Sequence, residues 1–203
     1  MFPLAVALVH HPVVDKRGDR VTAAVTNLDL HDIARTARTF GVQRFYVVTP
    51  TAEQQLLVER ILGHWRQGHG ACYNPHRGEA LRLIETVSTL DEAIGAWSAE
   101  SGGEARPVLT GARCSDGISF AQCRVLRREH PLLLILGTGW GLAPEIFARG
   151  WTVLEAIRGS GESNHLPVRA AAAIILDRLH RDSQEIVSAA SPASAADSSR
   201  PEQ

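Results

Sequence analysis

Apolar and polar positions along this chain alternate between two periods. Residues 4–9 (Leu-Ala-Val-Ala-Leu-Val) form a continuous apolar run of strand length, the pattern of a strand buried on both faces. Residues 26–40 switch to a helical period, with Leu30, Ile33, Ala34 and Ala37 on one face. Thr26 or Asn27 can cap that helix, Asp29 in its first turn suits the dipole, and Gly41 ends it. Further along, the spacing predicts strands over 44–49, 84–87, 107–110, 132–136 and 151–155. It predicts helices over 52–67, 90–98, 120–129, 143–148 and 164–181. Residues 100–106, with Gly102-Gly103, read as a surface loop. This alternation predicts an α/β fold, a mostly parallel sheet with helices on both faces. No internal repeat or linker interrupts residues 1–187, which are expected to form a single domain. From Ser188 large apolar residues all but vanish, and 188–203 are expected to be a disordered C-terminal tail.

A length of 203 residues is enough for one domain with a full core. A formal net charge of -1 gives no overall positive field that would advertise nucleic-acid binding. Lys16 is the only lysine, so almost all basic charge is Arg. Arg favours planar, bidentate contacts with phosphates and carboxylates, although a GC-rich genome produces the same bias. Cys72, Cys114 and Cys123 are odd in number and lack CxxC spacing, and the nine histidines include no HExxH. Neither a disulfide framework nor a metal site is expected. His10 and His11 are adjacent, so they point to opposite faces of an extended chain. The apolar start lacks a basic n-region, and no stretch approaches the ~18–20 apolar residues of a membrane span. A cytoplasmic protein with no membrane partner is expected.

Chemistry concentrates in three places. The first is the end of the apolar strand 132–136, where Gly137-Thr138-Gly139-Trp140-Gly141 follows. This is neither GxGxxG nor a P-loop. Its glycines let backbone groups approach a flat ligand closely; a tight turn between strand and helix is the plainer alternative. The second is Ile157-Arg158-Gly159-Ser160-Gly161-Glu162-Ser163-Asn164-His165-Leu166, ahead of a helix anchored by Leu166, Ile174, Ile175 and Leu179. Ser163 and Asn164 can cap that helix, whose N-terminus would present N–H groups to an anion. The third is the helix over 26–40, where His31, Arg35 and Arg38 share one flank of the apolar face at i, i+4 and i+7.

The stretch Thr26-Asn27-Leu28-Asp29 through Arg35-Thr36-Ala37 to Phe40-Gly41-Val42 resembles the first motif of SPOUT-superfamily RNA methyltransferases. Residues 132–142 resemble their second motif, an apolar strand running into a Gly-rich loop. Residues 157–173 resemble their third, a loop with Ser-Asn-His-Leu before an Ala-rich helix. The motifs come in family order, and the resemblance spans roughly residues 4–179. It is strongest to a compact bacterial group that shares the opening strand with His-Pro and the Gly-Thr-Gly-Trp-Gly-Leu loop. The resemblance departs at two points from ribose-methylating members. Their second motif carries a Glu missing here, and their third shows Ser-Leu-Asn where this chain has Ser-Asn-His-Leu. A base nitrogen is therefore favoured over ribose 2′-O.

The resemblance implies a C-terminal trefoil knot that brings three loops together around S-adenosylmethionine. The implied cofactor residues are Thr110, Gly111 and Ala112; Leu136, Gly137, Thr138, Gly139, Trp140 and Gly141; and Ile157, Arg158, Gly159, Asn164, His165, Leu166 and Arg169. It further implies a homodimer acting on RNA, tRNA or rRNA. Arg35 is the first candidate for positioning substrate, Asn27 and His165 are polar groups near the pocket, and Asp29 is a candidate base. A competing class is a non-catalytic S-adenosylmethionine-binding regulatory or assembly factor, which the neutral charge and the missing Glu favour. A nicotinamide-dependent oxidoreductase is disfavoured because GxGxxG is missing.

Overall fold

The computed structural model describes residues 1–161 and 164–181 of the chain. In chain order the elements are β1 (Leu4–Val9), β2 (Val13–Val14), β3 (Arg20–Val21), α1 (Asn27–Thr39), β4 (Arg44–Val48), α2 (Ala52–Arg66), α3 (His69–Tyr73) and α4 (Pro75–Leu81). There follow β5 (Ile84–Val87), α5 (Leu90–Ser101), β6 (Arg106–Leu109), α6 (Phe120–Glu129), β7 (Leu132–Gly137), α7 (Pro144–Phe147), β8 (Thr152–Val153) and α8 (Val168–His180). Six strands form a parallel sheet in the order β5-β4-β1-β7-β6-β8. The expected parallel α/β architecture is therefore present. β2 and β3 make a separate antiparallel hairpin.

Strand β1 is the centre of the sheet, paired with β4 on one edge and β7 on the other. Its alternate side chains enter different layers, as a pleated strand requires. Leu4, Val6 and Leu8 join a core layer with Leu30 and Ile33 of α1 and Ile175 and Leu179 of α8. Ala5, Ala7 and Val9 join the opposite layer with Tyr46 and Trp97. Small residues on the central strand thus share a layer with the largest side chains of the core. Trp97 is fully buried, and its indole N–H donates to the Leu132 carbonyl at 3.0 Å, which satisfies its one polar atom.

Most predicted elements appear within a residue or two of their expected bounds. The last helix does not. It begins at Val168, not at 164, because Leu166 precedes Pro167 and a residue before proline is pushed out of the helical region. Pro167 occupies the cap position and makes no side-chain cap bond. The capping role expected of Asn164 is thereby overturned, and Ser163 lies outside the described residues, as does the expected tail 188–203. α5 runs three residues further than its period suggested, and β8 shrinks to two residues with Leu154 bridging to Ile118. β2, β3, α3 and α4 were not anticipated. Two-residue strands carry no period, and His69-Gly70-Ala71-Cys72-Tyr73-Asn74-Pro75 has no apolar repeat. No described helix is long and apolar enough to cross a membrane.

Because the sheet is parallel, the C-terminal ends of β1, β6, β7 and β8 lie along the same side. The loops that leave them are where an open α/β sheet holds a ligand.

Candidate functional site

Those loops enclose a cavity of about 330 Å³, within the ~300–1,000 Å³ typical of small-molecule sites. Of the residues expected to hold the cofactor, all line this cavity except Arg158, Gly159 and Arg169. The loop after β6 supplies Thr110-Gly111-Ala112, and the loop after β7 supplies Leu136 to Gly141. The segment leaving β8 supplies Ile157 and Asn164-His165-Leu166. Sequence reasoning missed Ala23, Ala24, Glu155, Ala156 and Ala171 on the wall. The alanines carry no readable signal. Glu155 does, because it is a lone carboxylate ending an apolar strand.

Two threonines show how the walls are fixed. The Thr110 hydroxyl donates to the Ile135 carbonyl at 2.9 Å, and the Thr138 hydroxyl donates to the Val9 carbonyl at 2.9 Å. Each loop is tied to the neighbouring strand as it departs. The Gly-rich loop is also held from outside by the hairpin. Trp140 N–H donates to the Val14 carbonyl and Val14 N–H to the Gly141 carbonyl, each at 3.0 Å. Asn164 ties the third loop to the first: its amide donates to the Ala112 carbonyl at 3.1 Å while its oxygen accepts from Gly159 N–H.

Asp29 reaches the cavity from α1 and is almost fully buried. The Thr26 hydroxyl donates to its Oδ2 at 2.6 Å, and Arg169 lies 3.4 Å from Oδ1. Arg169 also faces Asp32 at 3.6 Å, so this residue pins α8 to α1 and does not line the cavity. Glu155 accepts from Phe120 N–H at 2.8 Å, at the start of α6. At the mouth, the exposed ring of Trp140 lies against His165, centroids 6.0 Å apart and planes 34° apart.

The cavity suits S-adenosylmethionine in its chemistry. Leu136, Ile157 and Leu166 offer an apolar wall for a flat base. Two carboxylates, Asp29 and Glu155, stand in an otherwise nearly uncharged lining; Arg169 offsets Asp29 from outside the cavity, and Glu155 favours a cationic ligand. Backbone comes close because side chains are excluded: a Cβ on Gly137 would meet the Leu142 amide at 2.7 Å, and one on Gly111 the Cys114 sulfur at 2.9 Å.

The residues expected to act on substrate divide between two places. Asp29 and His165 border this cavity, whereas Asn27 and Arg35 line a second concavity between α1 and α2. Of the three residues on the α1 flank, His31 and Arg35 face that second concavity, and Arg38 instead pairs with Glu79 of α4.

Beneath the site, His10 is buried at the end of β1 with neither ring nitrogen hydrogen-bonded among the described residues. Burial lowers its pKa to about 4; the Asp29 carboxylate and the nearby Ala23 and Ala24 backbone oppose that shift. A lowered histidine pKa contributes stability above its unfolded value near 6.5, and that stability is lost as pH falls towards 4. Melting curves should therefore show acid destabilisation of roughly 3 kcal/mol across this window. His10→Gln should flatten it; an unchanged pH profile in the variant would exclude His10 as the cause.

The family model described as SAM-dependent RNA methyltransferase matches residues 3–181. A tRNA (guanine-N(1)-)-methyltransferase of Oleidesulfovibrio alaskensis is 45% identical over 176 residues, 87% of this chain but 41% of that protein. The chain thus spans about two fifths of the length of that relative. An uncharacterized protein of Aquifex aeolicus is 38% identical over 179 residues, 86% of each chain. The crystal structure of the Aquifex aeolicus TrmH/SpoU tRNA modifying enzyme superimposes with a TM-score of 0.56 at 18% identity, covering 96% of this chain and 82% of that one.

Proposed function

We propose that this chain, which belongs to the family of SAM-dependent RNA methyltransferases, methylates a base nitrogen of tRNA in the cytoplasm. The observation that carries the reading is the cavity enclosed by the loops after β6 and β7 and the segment leaving β8. The choice of tRNA and of a base nitrogen draws on the name of the relatives, most of whose length has no counterpart here. It also draws on the second motif, which lacks the Glu of ribose-methylating enzymes.

Backbone of residues 110–112 and 136–141 would hold the adenine, and Asp29 and Glu155 would face the cationic portion. The bound cofactor supplies an electrophilic methyl group. The protein's part is orientation and proton handling. A base nitrogen that carries hydrogen must release a proton on methylation. Asp29 is the first acceptor we assign, because Thr26 and Arg169 fix its orientation at the cavity wall. His165 stands at the mouth beside Trp140 and would guide the incoming nucleotide.

Arg35 and Asn27 lie away from the cavity of their own chain, and a homodimer supplies a way for them to serve a partner's cavity. Exposed apolar side chains support such pairing: Trp140 and Leu166 at the cavity mouth. Isologous dimers are the commonest assembly. The C-terminal trefoil knot belongs to the same reading, and the Asn164 tie between the first and third loops is in keeping with it.

The test uses methyl-labelled cofactor, the full chain and tRNA, followed by mass spectrometry of nucleosides. Label in a methylated base is expected. Label in ribose would reassign the target atom. Calorimetric cofactor binding without transfer to total RNA would favour a regulatory factor instead.

A further inference from the structure

The concavity between α1 and α2 carries a charge that the whole chain conceals. Arg35, Arg60 and Arg77 line it together with His31 and His64, against one carboxylate, Asp32, which faces Arg169. Among the described residues none of these three arginines is ion-paired. Net charge over the full chain is -1, so three unpaired guanidinium groups in one hollow are a local concentration of positive charge.

The hollow is built around Trp65. Arg77 lies over the indole, 5.1 Å from the ring centroid, and His31 and His64 meet the ring edge-on at 5.3 and 5.2 Å. The indole face is therefore already covered, and it holds the Arg77 guanidinium in place. His31 Nδ1 and Arg77 Nε are shielded from solvent with no hydrogen-bond partner among the described residues. The hollow, about 560 Å³, gathers three guanidinium groups against the single carboxylate of Asp32.

We propose that this concavity is a docking site for the phosphodiester backbone of the RNA substrate, separate from the cofactor cavity. The inference rests on the RNA methyltransferase reading. Guanidinium groups bind phosphate oxygens through paired, charge-assisted hydrogen bonds. The two sites share α1: Asp29 borders the cavity and Arg35 the hollow, about 9 Å apart along the helix axis. A strand that presents one nucleotide to a cavity can lay neighbouring phosphates on such a hollow. It gives a chain with no overall positive field a local grip on RNA.

The test measures tRNA binding to the full chain over a salt series, for wild type, Arg60→Glu and the double variant Arg60→Glu/Arg77→Gln. Cofactor affinity, melting temperature and molecular mass in solution are recorded alongside. The double variant is expected to bind RNA about tenfold or more weakly, with the slope of log affinity against log salt reduced by about two. KM for RNA should rise while kcat at saturating RNA and cofactor affinity hold. Arg60 is exposed, so Arg60→Glu alone should show the same effect in smaller measure even if the double variant folds poorly. Unchanged RNA affinity and slope would overturn the site, as would a changed oligomeric state with RNA affinity intact. Wild type that binds no RNA at any salt would overturn the parent reading as well.

Discussion

Gly139→Val should leave a folded chain that no longer binds S-adenosylmethionine. Gly139 sits at φ +60, a region that β-branched residues scarcely enter. A Cβ there would also lie 3.0 Å from the Val14 carbonyl oxygen, which is backbone and cannot swing aside. That carbonyl already accepts from Trp140 N–H, so relief of the clash must shift the loop away from the hairpin. The strain costs about 1–3 kcal/mol, which a domain with a complete core can absorb. The cavity wall cannot, because close approach of loop backbone is what it offers. Calorimetry should find affinity reduced by about 100-fold or more, equivalent to ~2.7 kcal/mol, with a melting temperature lowered by only a few degrees. Affinity near wild type would show that this loop is not the cofactor's wall. Gly139→Ala, with no β-branch, should fall between the two.

Arg35→Ala should keep cofactor affinity and lose most methyl transfer. Arg35 is exposed on α1, while the opposite face of that helix buries Leu30, Ile33, Ala34 and Ala37. Its guanidinium makes no salt bridge among the described residues, so its removal should change stability by less than about 0.5 kcal/mol. Losing a contact that positions substrate typically costs ~10²-fold in rate. The loss should appear in kcat at saturating RNA as well as in KM, because Arg35 also lines the hollow, whereas Arg60 and Arg77 are expected to act on KM alone. Arg35→Lys should recover only part of the rate, because a point charge cannot reproduce a planar fork. Near wild-type turnover in Arg35→Ala would remove Arg35 from the site.

What could be read from the sequence follows from what leaves a local trace. Leu4–Val9 and Leu132–Gly137 announced buried strands because unbroken apolar runs of that length have few other uses. Of the two cap candidates, Thr26 and Asn27, Thr26 takes the role and accepts from Asp29 N–H. The cavity loops were legible because they sit where strands end and glycines cluster. Arg169 was not, because its place depends on where α8 crosses α1, a fact of packing and not of local pattern. Asn164 has the side chain of a helix cap, yet Pro167 sets the start of α8. The basic hollow was half visible: His31 and Arg35 lie on one flank of a single helix, but Arg60, Trp65 and Arg77 arrive from elsewhere in the chain. Only the fold brings their charges together.

The pairing of β1 with β7 has a consequence for synthesis. Leu4 is made first, yet its partner Leu132 is translated 128 residues later. At the usual ~5–20 residues per second that delay is on the order of ten seconds. During it, an all-apolar strand leaves the ribosome with one edge open, even after Arg44–Val48 has arrived to cover the other. Open apolar edges invite pairing with other chains. The nascent protein therefore depends on early shielding of its first strand, and overexpression at high temperature should expose that dependence as aggregation before any loss of finished, folded protein.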